Sequence, residues 1–279
     1  MAVSSNTANK RTALITGASS GIGKATTLKL LEEGYRVFVA ARRIEQMQEL
    51  VDRGASAIAL DLTRDENIVA AVDRIVSKHG SIDILINNAG YGAYGAIEDV
   101  PVDEGRRQFE VNLFGLARLT QLVLPQMRQN RFGKIVNVTS IGGKIYTPFG
   151  GWYHATKHAL EGWSDTLRLE TKSFGIDVII VEPGGIKTDW GHIAAENLKK
   201  TSGAGAYAKA ANKTAAGMHD VYSGKRLSDP SVVAATILRA ISAGKPKTRY
   251  HTGYMAGTVL RMRRWLSDRM FDRIIMSMV

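Results

Sequence analysis

The chain has 279 residues, 44% of them hydrophobic and 23% charged, which suffices for a full α/β core and is ordinary for a globular protein. It contains no cysteine and no apolar run of the roughly 18 residues that a membrane-crossing helix needs, so disulfides, thiolate metal sites and a helical span are excluded and a reducing, cytoplasmic setting is expected. The net charge of +11 is compatible with an anionic cofactor or an anionic lipid surface; nucleic acid is not expected as a partner, because no basic reading module accompanies the charge.

Residues 1–10 read as a flexible polar leader, and 11–279 as a single domain. Thr12 to Thr16 is a short apolar strand that runs into Gly17-Ala-Ser-Ser-Gly-Ile-Gly23 and then into an amphipathic helix stopped by Gly34. Strand, glycine turn and helix in that order form a phosphate-binding unit: glycines admit the backbone to a pyrophosphate and the helix start offers free N–H groups. The same letters, Gly17-Ala-Ser19-Ser-Gly21, match the G-x-S-x-G elbow of a serine hydrolase, with His219 or His251 as a downstream base. Position argues against that reading, because a hydrolase elbow normally follows several strands and this one follows the first.

A second strand, Tyr35 to Ala41, ends in Arg42-Arg43. An acidic residue there would hold a ribose 2′-hydroxyl, whereas arginine accommodates a 2′-phosphate, so Arg42, with Arg43 in support, points to NADP(H). A helix is expected over 43–53, a third strand over 55–60 ending at Asp61, a helix over 65–78, and a fourth strand over 82–86 ending in Asn87-Asn88-Ala-Gly90. This alternation predicts an α/β fold, a Rossmann-type doubly wound parallel sheet whose ligands bind at the strands' carboxyl ends. Gly17, Arg42, Asp61 and Asn87 all fall on that edge.

A long helix over 103–129 carries Asn112 in an otherwise apolar stretch, where a buried amide must find partners. Strand five, 134–139, delivers Ser140, and a helix over 152–174 carries Tyr153 and Lys157. Four residues apart, the two project from one helix face. An ammonium about 4 Å from a phenol is worth about 4 kcal/mol at an effective dielectric near 20. That is enough to bring the phenol towards neutrality, where it can trade protons. Strand six, 176–181, closes with Glu182-Pro-Gly-Gly185.

The set Thr16-Gly-Ala-Ser-Ser-Gly-Ile-Gly23, Asp61, Asn87-Asn-Ala-Gly90, Asn112, Ser140, Tyr153-x-x-x-Lys157 and Pro183-Gly184 resembles the short-chain dehydrogenase/reductase family over roughly residues 10–190. The resemblance implies that Tyr153 is the general acid/base, that Ser140 bonds the substrate oxygen, that Lys157 tunes Tyr153 and holds the nicotinamide ribose, and that Asn112 anchors a proton relay. It implies a cofactor site of Gly17, Ser19, Ser20, Gly21, Ile22, Gly23, Asp61, Leu62, Asn88, Ala89, Gly90, Tyr153, Lys157, Pro183, Gly184, Ile186 and Thr188, joined by Arg42 and Arg43. No metal is required, and His154 and His158 read as ordinary helix residues.

Residues 188–228 lose the β-α order, are rich in small residues, and resemble that family's substrate-binding lid, a segment that orders over ligand. Ile141, Gly142, Tyr146, Phe149, Trp190 and His192 are the candidate substrate contacts. A helix from 229 to 243 leads to a last strand near Arg249, and 254–279 mix Met, Leu, Ile and Trp265 with Arg. That extension resembles the subgroup of 17β-hydroxysteroid, retinol and acylglycerone-phosphate reductases, which implies a lipophilic carbonyl or alcohol as substrate. The basic tail is expected to pack on its own domain or on a neighbouring subunit of a homodimer or homotetramer; peripheral contact with a membrane surface is the other reading. A non-catalytic NADP(H)-sensing regulator is the alternative function, disfavoured by the intact Ser140, Tyr153 and Lys157.

Overall fold

The computed structural model describes residues 10–277; the expected leader lies, except for Lys10, outside them. Seven strands form one parallel sheet in the order β3-β2-β1-β4-β5-β6-β7. They are β1 (Thr12–Thr16), β2 (Arg36–Ala41), β3 (Ser56–Ala59), β4 (Ile84–Asn87), β5 (Gly133–Val138), β6 (Ile176–Pro183) and β7 (Arg249–Thr252). The chain builds outward from β1 to β3, returns across β1 to β4, and builds outward again to β7. The direction therefore reverses between β1 and β4, and a crevice opens there at the carboxyl ends.

Side chains alternate across the sheet with a period of two. Ala13, Ile15, Ile84 and Ile86 face the layer that holds Leu30 of α1 (Gly21–Glu32) and Val233 and Ile237 of α9 (Ser231–Ser242). Leu14, Leu85 and Ile135 face the opposite layer, with Ile68, Val72 and Ile75 of α3 (Asp65–His79) and Leu119, Val123 and Met127 of α5 (Gly115–Gln129). Both faces of the sheet are thus covered, as a parallel sheet requires. A short helix α2 (Gln48–Asp52) follows β2.

Two departures from the expected elements bear on function, as does the C-terminal helical extension, which is present as expected. The helix anticipated over 103–129 is α4 (Val102–Phe109), a π-helical turn over Glu110–Phe114, and then α5; Asn112 sits in that turn, the kind of widened helix found at functional positions. Residues 188–228 fold as two helices, α7 (Trp190–Ser202) and α8 (Ala208–Ser223), where a loop with helical fragments was expected. The chain's last segment forms α10 (Ala256–Trp265) and α11 (Asp268–Ser277). Phe271 and Ile275 of α11 are buried against Ile145 of the chain's own domain. None of the helices among the described residues is long and apolar enough to cross a membrane.

Candidate active site

A cleft of about 930 Å³ runs along the carboxyl edge of the sheet. At one end lies the β1–α1 turn. Gly17 and Gly21 have φ of +65° and +51°, values open to glycine and strained for other residues. A Cβ on Gly17 would stand 2.8 Å from Ala89 Cα, and one on Gly23 would overlap the Gly17 carbonyl oxygen. Asn88 Nδ2 donates to the Thr16 and Gly17 carbonyls at 3.0 and 3.1 Å, which clamps the turn to the β4 exit. Ser20 caps α1 without a side-chain bond to its first turn, and that turn holds no acidic residue, so no side chain within it claims its first N–H groups.

Ser19, Ser20, Ile22, Arg42, Arg43, Asp61 and Leu62 line this end, as do Ala89 and Gly90. Gly23 does not reach the wall; it lets helix and turn close on each other. The Asp61 carboxylate accepts from the Thr63 N–H and hydroxyl at 3.0 and 2.8 Å. Partial burial opposes its ionisation, but those two bonds and the nearby Arg42 hold the carboxyl below the ordinary range. Pro183, Gly184, Ile186 and Thr188 close the cleft from the β6 side.

At the centre, α6 (Gly151–Thr171) starts against the β5 exit. It brings Tyr153 and Lys157, both buried, to Ser140 on the cleft wall. Ser140 Oγ accepts from the Gly142 N–H at 2.9 Å, which leaves its hydroxyl proton to point at the Tyr153 phenol. The Lys157 ammonium donates to the Val138 carbonyl at 3.0 Å and lies 6.0 Å from the Tyr153 ring centroid. Burial pushes Tyr153 up to about 12, against a lowering by the Ser140 hydrogen bond. The pull towards neutrality expected from Lys157 does not offset this burial. Burial likewise lowers Lys157 to about 8, partly opposed by the Glu161 carboxylate. Both groups are driven towards their uncharged forms because the site is dry.

Asn112 is buried and does not line the cleft. Its Nδ2 donates to the Tyr91 carbonyl at 2.9 Å and the Thr156 hydroxyl at 3.0 Å, while its Oδ1 accepts from the Tyr91 N–H at 3.1 Å. A Cβ on Gly90 would lie 3.1 Å from Asn112 Oδ1 and 3.6 Å from Lys157 Nζ. Asn112 therefore fixes the β4 exit against the helix that carries Tyr153 and Lys157.

Of the six substrate candidates, Ile141, Gly142 and Trp190 line the cleft, and the other three do not. The Tyr146 hydroxyl donates to Asp272 of α11 at 2.8 Å, and its ring packs on Phe271. Phe149, with φ of +66°, packs behind the wall beside Tyr94 and Trp190. His192 turns to α8, its Nδ1 3.0 Å from that of His219. His219 in turn bonds Glu196 at 2.8 Å, so one of the two candidate hydrolase bases is committed elsewhere.

Sequence reasoning did not identify Tyr94, Tyr222 and His154 as wall residues. Trp190 lies 5.1 Å from Tyr153 and 5.7 Å from Tyr94 between ring centroids, and Tyr222 packs behind it at 6.4 Å. The Thr147 N–H donates to His154 Nε2 at 3.0 Å, which leaves Nδ1 to carry the proton and donate to the Gly142 carbonyl at 2.9 Å. Burial lowers the His154 pKa, so this neutral tautomer pins the 140–147 loop to α6. Its only sequence signal was adjacency to Tyr153.

This combination of fold, glycine turn and Ser-Tyr-Lys centre defines a dinucleotide-fold oxidoreductase. The short chain dehydrogenase profile matches residues 11–199, and the chain belongs to that family, whose members act on CH–OH and C=O groups. A probable short-chain type dehydrogenase/reductase of Helicobacter pylori is 35% identical over 96% of this chain and 97% of its own. An NADPH-dependent 3-dehydrocapnine reductase of Ornithobacterium rhinotracheale is 32% identical over 95% of each chain. A solved short-chain dehydrogenase of Streptomyces avermitilis superposes with a TM-score of 0.80 at 34% identity, over 95% of each chain. Solved chains of this fold at 31% and 26% identity hold NADPH and NADP.

Proposed function

We propose that this chain uses NADPH to reduce the carbonyl of a bulky, mostly apolar ketone or aldehyde, or runs the reverse oxidation, with Tyr153 as general acid/base. The observation that carries the reading is a buried Tyr153 facing both the Ser140 hydroxyl and an aromatic wall of Tyr94 and Trp190. The residues present fit a phosphorylated dinucleotide: a glycine turn that a Cβ would fill, a helix start with unclaimed N–H groups, and two arginines with no acid at the β2 exit. NADPH would supply the hydride.

The protein's own part is to hold and move a proton. Tyr153, kept as a neutral phenol by burial, gives its proton to the carbonyl oxygen. The Ser140 hydroxyl donates a hydrogen bond to that oxygen as charge develops. The Lys157 ammonium favours the phenolate left behind and would hold the nicotinamide ribose. Asn112 keeps α6 registered on the β4 exit and would anchor the proton relay. Arg42, supported by Arg43, would take the 2′-phosphate. Helices α7 and α8 would act as the cover over the substrate, with Trp190 and Tyr222 excluding water.

The test is NADPH consumption with a panel of apolar ketones, for the wild type and Tyr153→Phe. Replacing one general acid is expected to lower turnover about a thousandfold, with NADPH fluorescence titration unchanged. Turnover retained by Tyr153→Phe would overturn the mechanism. Normal cofactor binding with no turnover of any carbonyl in the wild type would favour the sensing regulator.

A further inference from the structure

We infer that the outward face of the α10–α11 pair is a docking surface for an anionic lipid bilayer. The inner face is already used. Phe271 and Ile275 are buried against Ile145, with Val259, Met262 and Leu266 packed around them. The two acids of the segment are also engaged. Asp272 accepts from the Tyr146 hydroxyl, and Asp268 pairs with Arg263 at 2.8 Å, whose guanidinium lies 5.5 Å over the Tyr146 and Phe271 rings.

What remains outside is cationic and interfacial in character. Phe271 and Ile275 mark one side of α11; helical spacing puts Arg269, Met270, Arg273 and Met276 on the other, all exposed. On α10, Arg261, Arg264 and Trp265 are exposed as well. Trp265 is 79% exposed, with the Arg264 guanidinium 5.8 Å from its ring. Tryptophan prefers the headgroup level of a bilayer, and arginines there gain from anionic lipid.

A second copy of the chain is the poorer occupant. An isologous contact through this face would set arginine against arginine, because Asp268 is paired with Arg263 and the exposed Arg261, Arg264, Arg269 and Arg273 outnumber Asp272. Headgroup phosphates and carboxylates complement it without rearrangement. The position adds a consequence that rests on the reading of the cleft given above. Ile141 and Ile145 line the cleft and also touch the tail cluster, so the docked bilayer would lie beside the apolar end of the site. A lipophilic ketone dissolved in it would be presented there.

The experiment is co-sedimentation of the full chain with vesicles of phosphatidylcholine alone, or with one third phosphatidylserine, at low and high salt. Wild type is expected to sediment with the anionic vesicles only and to be released by salt. Arg269→Glu with Arg273→Glu, and separately Trp265→Ala, should weaken the partitioning, about fivefold for each arginine lost. NADPH turnover of a water-soluble ketone should stay at the wild-type rate in all of them. The inference is overturned if wild type fails to sediment with anionic vesicles at low salt, or if the double variant sediments equally well. It is also overturned if light scattering shows a wild-type oligomer that the double variant dissolves, since a second copy would then cover this face. Sedimentation is read without turnover, so failure of the reductase reading would leave this result standing.

Discussion

The two ends of the cleft are built on different principles. The cofactor end is made of backbone: Gly17, Gly21 and Gly23 bend one turn, Asn88 clamps it, and the start of α1 supplies donors. Apart from Asn88 its parts lie close in sequence, and its tolerances are set by covalent geometry. The proposed substrate end is made of side chains brought from far apart: Trp190 meets Tyr94 edge to face and Tyr153 and Tyr222 at tilted angles. Damage at the first end should therefore strike every substrate equally, whereas damage at the second should change which carbonyl is preferred.

The hardest test of that division is Gly23→Ala. The added methyl would overlap the Gly17 carbonyl oxygen and push on the Asn88 amide, so the turn must open. The expected loss in kcat/KM is about a hundredfold or more, the same for every ketone, with circular dichroism confirming the fold. Trp190→Ala comes next. Removing an indole that packs on Tyr153, Tyr94 and Tyr222 should cost bulky ketones about thirtyfold in kcat/KM. A small ketone should be much less affected and NADPH affinity unchanged. Uniform loss across the panel would break the comparison. Arg42→Ala is smaller still: loss of one charge-assisted bond should weaken NADPH about tenfold and leave NADH untouched, as read by fluorescence titration. Equal effects on both nucleotides would remove Arg42 from the 2′-phosphate.

The same division explains what could be read from the sequence. The strands announced themselves by apolar runs between turn residues, and all seven expected strands are present within a few residues of their anticipated bounds. The glycine turn and the Tyr153–Lys157 pair were legible because local spacing alone places them. Tyr94 and Tyr222 were not legible, since their meeting depends on how α7 and α8 settle on the β4 exit. Tyr146 was misplaced for the complementary reason: the C-terminal helices claim its ring and hydroxyl, a contact spanning more than a hundred residues. Burial was hidden as well. Spacing fixed that Lys157 stands near Tyr153 but said nothing of the dry surroundings that drive both pKa values towards neutral forms.

That last point yields a prediction about pH. The phenol, raised to about 12, stays protonated throughout the working range. The group that titrates is Lys157, lowered by burial to about 8 and partly held up by Glu161. Reduction needs the ammonium, so kcat/KM should be flat below about pH 7 and fall as pH rises through 8, by about tenfold per unit at most. Glu161 accepts from the Thr139 hydroxyl at 2.6 Å and pairs with Lys144 at 2.9 Å and Arg249 at 3.0 Å. Glu161→Gln removes the carboxylate and leaves those cations behind, so the Lys157 pKa should drop further. The break should then move to lower pH, with the plateau rate at low pH retained if the thermal midpoint shows an intact fold. A break that stays near 8 in a folded Glu161→Gln would mean that a group other than Lys157 sets the profile, and that the charge cluster behind α6 serves stability alone.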